Sequence, residues 1–188
     1  MKPRIFVITG GPCTGKSTVI NEIARLGYRI IPEAARVVIA EQQKIKNGKL
    51  PWNDRDGYQK LVLRRQLDDL KGVSGIVFLE RGLHDALAYY KLDNLKPPHE
   101  IVAAARNASY ERVFLMEPIP FYEKDNERRE DAETRDRIHA AIIDVYVRHG
   151  YNLFSVPFMQ PAERAGLILN EARIHIEKAM TIRPSAQQ

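Results

Sequence analysis

Apolar residues fall along this chain in two alternating textures. Short, nearly continuous apolar runs at Arg4–Thr9, Tyr28–Ile31, Ile76–Leu79, Arg112–Met116 and Tyr151–Val156 read as strands covered on both faces. Between them lie longer stretches with apolar residues three and four apart. One runs from Lys16 to Leu26, with Val19, Ile20, Ile23 and Leu26 on one side. Others are expected over Ala34–Lys46, from a cap at Asn53 or Asp54 to Leu70, over His84–Leu92, Glu100–Arg106 and Arg137–His149, and over Glu163–Met180. Gly27, Asn47-Gly48, Gly72, Pro97-Pro98 and Gly150 mark the breaks. Strands alternating with helices along the whole chain predict an α/β fold, a parallel sheet with helices on both faces and right-handed crossovers. There is no repeat and no linker, so residues 1–183 are expected to form a single domain, with 184–188 a flexible tail.

One stretch fits neither texture. Residues 121–137 carry Glu123, Lys124, Asp125, Glu127, Arg128, Arg129, Glu130, Asp131, Glu133, Arg135, Asp136 and Arg137, with almost nothing to bury. Such a segment is expected to be exposed and mobile.

The first strand runs straight into Gly10-Gly11-Pro12-Cys13-Thr14-Gly15-Lys16-Ser17-Thr18, which fits G-x-x-x-x-G-K-[ST]. Each part has a physical task. Gly10 and Gly15 allow positive φ and a close approach of backbone to ligand. Successive N–H groups then cradle phosphate oxygens, and the helix beginning at Lys16 turns its positive end toward the same anion. Lys16 is expected to reach the β- and γ-phosphates of ATP or GTP, and the Ser17 hydroxyl to ligate Mg²⁺. Cys13 reads as a small residue that fits the loop.

Composition narrows the class. The chain is 44% hydrophobic and 28% charged, ordinary for a globular protein. A single cysteine forbids an internal disulfide, no apolar run approaches the ~18 residues of a membrane span, and Met1-Lys2-Pro3-Arg4 does not open a signal peptide, so a cytoplasmic location is expected. The net charge of +5 suits polyanionic ligands, and nucleotides suffice to explain it. No compact basic run with interleaved aromatics points to nucleic acid. The five histidines lack metal-ligand spacing and read as incidental.

Phosphoryl transfer needs a carboxylate on the metal side, cations for the transferring group and a group that orients the nucleophile. Glu80 ends an apolar strand and is the candidate metal-side carboxylate beside Ser17; a helix cap is the alternative. Arg81 follows it and can fork onto phosphate or substrate, or else pair with Glu33 or Asp85. Asp85 can orient Arg81 or bind substrate. Glu33, at the end of the second strand, is the candidate general base, with Arg36 on the same helix face; a local salt bridge between these two is the alternative. Arg128, Arg129 and Arg135 lie in the charged segment and suit a lid over residues 121–137 that supplies charge stabilisation. Gln66, with Gln59 and Tyr58, lies on the helix after Trp52 and can meet an acceptor, or can be plain helix surface.

With Gly10–Ser17, Pro32-Glu33-Ala34-Ala35-Arg36, Leu79-Glu80-Arg81-Gly82 with Asp85, and Val156-Pro157 with Glu163-Arg164 in view, the chain resembles a small P-loop ATPase/kinase family. That family contains the ribosylnicotinamide kinase domain of bacterial NAD-synthesis regulators and stand-alone predicted ATPases. The resemblance implies a nucleoside-kinase-like P-loop fold with a five-stranded parallel sheet in order 2-3-1-4-5, ATP or GTP with Mg²⁺, and an arginine-bearing lid. It also implies that Pro157 to Arg164 borders the nucleotide base, and that Gly82, where deoxynucleoside kinases carry serine, forgoes the contacts of that hydroxyl. The expected activity is Mg²⁺-dependent transfer from ATP or GTP to a hydroxyl of a small, nucleoside-like molecule, by a monomer or homodimer. The alternative is a nucleotide-binding NTPase or switch without such an acceptor.

Overall fold

The computed structural model describes residues 3–120 and 132–181, and only the backbone of 178–181. Arg128, Arg129, the rest of the expected lid up to residue 131, and the 184–188 tail lie outside the described residues.

Five parallel strands form one sheet: β1 (Arg4–Thr9), β2 (Arg29–Ile31), β3 (Ile76–Glu80), β4 (Arg112–Met116) and β5 (Leu153–Val156), in order β2-β3-β1-β4-β5. This is the P-loop kinase-like order that the resemblance implies. Among the described residues seven helices surround the sheet: α1 (Lys16–Arg25), α2 (Ala34–Gln42), α3 (Arg55–Asp69), α4 (Leu83–Leu92), α5 (His99–Asn107), α6 (Ala132–Arg148) and α7 (Pro161–Thr181). Because strand side chains alternate, β1 feeds two cores. Phe6 and Ile8 join Phe78, Phe114, Met116 and Val156 beneath α1 and α7, whereas Val7 joins Val77, Leu79 and Val113 beneath α4, α5 and α6. A third, smaller cluster, Ala34, Val38, Tyr58 and Val62, ties α2 to α3 beyond the β2 edge.

The register fixes the site. Ile8 lies opposite Glu80 on β3, so the end of β1 and the end of β3 open at the same level. The backbone continues that pairing one step further, where Arg81 N–H donates to the Ile8 carbonyl at 3.0 Å.

Two boundaries differ from the periodicity. α2 stops at Gln42 and not at Lys46, because Asn47 takes φ of 60° and the Gln42 side chain turns back to accept from Lys49 N–H at 2.9 Å. α6 begins at Ala132, so residues 132–137 are helical and not part of a structureless lid; good helix formers and Glu133 in the first turn favour it. Asp54 is the cap of α3, accepting from Gly57 N–H. No helix among the described residues is long and apolar enough to cross a membrane.

Phe78 is fully buried with its ring centroid 5.3 Å from that of Phe6. Phe78→Ala is expected to cost ~3–5 kcal/mol through lost burial and the cavity left behind. Urea unfolding checks it as a lower midpoint with an unchanged slope.

Candidate active site

The glycine-rich loop leaves β1 with Gly10 at φ 138° and re-enters helix through Gly15 at φ 81°. Gly10 also has no room for a side chain, since a Cβ there would lie 2.7 Å from the Met116 carbonyl. Lys16 is buried and folded back on the loop, its Nζ donating to the Gly11 carbonyl at 2.6 Å and to Thr14 Oγ1 at 3.3 Å. Burial and the nearby Arg81 charge lower its pKa to about 7, against the pull of Glu33, Glu80 and Asp85. Ser17 Oγ donates to Glu80 Oε1 at 2.6 Å, which brings the hydroxyl and the carboxylate expected on the metal side into contact. That oxygen pair at the start of α1 is donor chemistry that fits Mg²⁺.

Arg81 occupies the turn after β3 with φ of 66°, an uncommon conformation for a residue with a side chain. Its buried guanidinium gathers three groups: Nε donates to Glu33 Oε1 at 2.7 Å, and Nη1 to Asp85 Oδ1 at 2.8 Å and to the Gly10 carbonyl at 3.2 Å. Arg36 Nε donates to the second Glu33 oxygen at 3.1 Å. Both ion-pair alternatives, Glu33 with Arg36 and Arg81 with Glu33 and Asp85, are therefore present. Burial opposes the ionised form of Glu33, but the charges of Arg81, Lys16 and Arg36 outweigh it and hold the carboxyl below its usual pKa.

Asp85 is a buried carboxylate with a full set of donors. Besides Arg81, Thr9 Oγ1 reaches Oδ1 at 2.7 Å, and Gly82 N–H and the Tyr146 hydroxyl reach Oδ2 at 3.0 and 2.7 Å. Its place is to hold Arg81.

These groups open on one cleft of about 860 Å³. Residues of the loop, Glu33, Arg36, Gln66, Arg81 and Asp85 all line it, and so do Tyr58, Gln59 and Tyr89. Gln59 is 7% exposed and has no hydrogen-bond partner among the described residues. Arg135 sits in the second turn of α6 with its Nε on Asp136 Oδ1.

Three supports were not legible in the sequence. Arg164 on α7 is 2% exposed and donates to four carbonyls, those of Thr14 (2.6 Å), Pro157 (2.8 Å), Glu117 (2.8 Å) and Val156 (3.2 Å), which pins the loop to the end of β5. Tyr146 and Tyr110 fill the space beside Gly82, where a Cβ would lie 2.5 and 2.9 Å from their hydroxyls. The tyrosine hydroxyls thus occupy the space that a side chain at residue 82 would take. His139, read as incidental, accepts the Gly11 N–H on Nδ1 at 3.1 Å. Its only sequence signal is its place beside the apolar stripe of α6.

A family model described as an AAA domain, AAA_28, matches residues 5–164. No curated protein matches the sequence. Among solved structures the chain is similar to NadR protein in complex with NR (19% identity, TM-score 0.67, covering 90% of this chain and 51% of that one). It is similar also to NadR protein in complex with NAD and AMP-PNP (15%, 0.66, 100% and 52%). A third is deoxyadenosine kinase from M. mycoides, with products dCMP and a flexible dCDP bound (20%, 0.63, 90% and 98%). The chain thus spans about half the length of the two NadR chains.

A polyanion beside Lys16 stabilises its charged form, so nucleotide binding raises a pKa that starts near 7. Binding is then expected to take up a proton above that pH and to weaken as pH rises. Calorimetry of ADP binding at pH 8 in two buffers of different ionisation enthalpy checks this: uptake in the wild type, and none in Lys16→Met.

Proposed function

The chain belongs to the AAA_28 family of AAA domains, and from that footing we propose that it is a small-molecule kinase. It moves the γ-phosphate of ATP or GTP to a hydroxyl of a nucleoside-like acceptor. The observation that carries this reading is the triple contact of Arg81, whose guanidinium joins the Gly10 carbonyl at the start of the loop to Glu33 and Asp85, in a cleft that the loop, Glu33, Arg81 and Asp85 all line.

The loop from Gly10 to Thr18 holds the triphosphate, with Lys16 turning from the Gly11 carbonyl to the phosphates. Ser17 and Glu80 hold Mg²⁺, whose charge offsets that of the phosphate oxygens. Arg81 neutralises the transferring group. As Lys16 and Arg81 turn to phosphate, Glu33 loses two of the three charges that depress its pKa, so it becomes a better acceptor for the substrate hydroxyl proton when the donor is in place. Arg135 approaches the loop from α6, and Arg128 and Arg129 complete the expected lid set. Arg36 and Asp85 fix Glu33 and Arg81. Tyr58, Gln59, Gln66 and Tyr89 offer aromatic faces and amides to a planar ring, which favours a nucleoside-like acceptor over a simple alcohol.

The competing reading, a nucleotide switch with no acceptor, draws on the closed Glu33–Arg81 pair. A panel of nucleosides with Mg²⁺ and γ-labelled ATP or GTP separates the two. Label transfer to at least one nucleoside is expected, with Lys16→Ala abolishing transfer and Glu33→Gln lowering kcat at least about a hundredfold while nucleotide affinity stays within about threefold. An unchanged kcat in Glu33→Gln removes Glu33 as the base. Nucleotide hydrolysis with no labelled nucleoside, together with no thermal stabilisation by any nucleoside in the presence of ADP and Mg²⁺, selects the switch.

A further inference from the structure

One amide of the glycine-rich loop is tied to α6 and not to the loop itself. The Gly11 N–H is buried and directed at α6, where its acceptor is His139 Nδ1 at 3.1 Å. The approach is close: a Cβ on Gly11 would meet His139 Cβ at 3.1 Å and the Arg135 carbonyl at 3.2 Å, so a larger residue would need α6 to give way by a few tenths of an ångström. α6 is therefore the back wall of the loop. On the cleft side, Lys16 Nζ and Thr14 Oγ1 hold the Gly11 carbonyl at 2.6 and 3.2 Å. Once Lys16 turns to a phosphate, the N–H bond to His139 is the tie from Gly11 to the rest of the fold.

We infer that His139 is a positioning residue of the nucleotide loop: its uncharged imidazole fixes the turn at Gly11, so that the amides which follow face phosphate. The inference rests on the nucleotide-binding half of the proposed function and is independent of the acceptor. The residue type follows from chemistry. A buried backbone donor needs an acceptor. A carboxylate there would place a negative charge behind a loop that receives a triphosphate. A neutral imidazole supplies the lone pair without the charge.

With Nδ1 accepting, the ring proton sits on Nε2, which lies 3.7 Å from Glu117 Oε2. That carboxylate is oriented in turn by Ser155 Oγ, which donates to Oε1 at 2.7 Å. The charged groups around the ring are Glu117, Lys16, Asp136 and Arg135. Burial dominates and, aided by the cations, keeps the imidazole below its ordinary pKa and hence neutral near pH 7.

Three substitutions test the role. His139→Leu keeps volume and loses the acceptor, His139→Ala loses both, and His139→Asn places an amide oxygen near the position of Nδ1. Mg-ADP affinity is measured by calorimetry, and Gly11 amide exchange by NMR on the nucleotide-free protein, with melting temperatures as the control on folding. His139→Leu and His139→Ala are expected to weaken Mg-ADP about tenfold or more and to deprotect the Gly11 amide, as when a buried donor loses its partner. His139→Asn is expected to stay within about threefold of the wild type and to keep the protection. Wild-type affinity in His139→Leu, or equal weakening in Leu and Asn variants of equal melting temperature, overturns the inference and leaves the proposed function standing. A wild-type protein that binds no nucleotide overturns both.

Discussion

A single guanidinium couples the two sides of the cleft. Arg81 is held by Asp85, touches the Gly10 carbonyl and clamps Glu33. Its charge is shared between two carboxylates. In the proposed function a phosphate is a third claimant on that charge, and the balance among them sets whether Glu33 is paired or free. The left-handed backbone at Arg81 makes this possible, because it turns the chain as β3 ends and carries the side chain into the cleft. Such a conformation costs on the order of 1–3 kcal/mol and persists only where its surroundings hold it.

The surroundings do hold it, through polar groups buried with full partnership. Asp85 has four donors, and Arg164 has four carbonyl acceptors. Groups of this kind add little net stability but are costly to leave half-paired, so they specify one arrangement. Tyr146 and His139 lie on the same helix, α6: one donates to Asp85, the partner of Arg81, and the other accepts from Gly11 of the glycine-rich loop. The tyrosine hydroxyls leave no room for a side chain at Gly82, and His139 leaves little at Gly11.

The fold was legible because its signals are local. Buried strands announce themselves as short apolar runs, and the loop's glycines sit where positive φ is needed. The partners of Arg81 were legible too, as alternatives, because Glu33 follows β2, the neighbour of β3, and Asp85 lies one helical turn past Arg81. His139, Tyr146 and Arg164 were not legible as supports. Their contacts join residues 128, 61 and 150 positions apart, and in one sequence a buried histidine beside an apolar stripe looks the same whether it fills space or accepts a bond. The start of α6 was missed for a related reason. Dense charge suppresses the apolar periodicity that marks a helix, although Ala132, Glu133 and Arg135 are good helix formers.

The most direct test of the account is where the γ-phosphate lies in a crystal structure of this protein with Mg²⁺ and AMP-PNP. It is expected in the cleft on the Glu33 side, with Lys16 moved from the Gly11 carbonyl to phosphate, Arg81 turned toward the γ-phosphate and the Glu33–Arg81 pair loosened. A γ-phosphate directed away from Glu33, with Arg81 still clamped on both carboxylates, would contradict it.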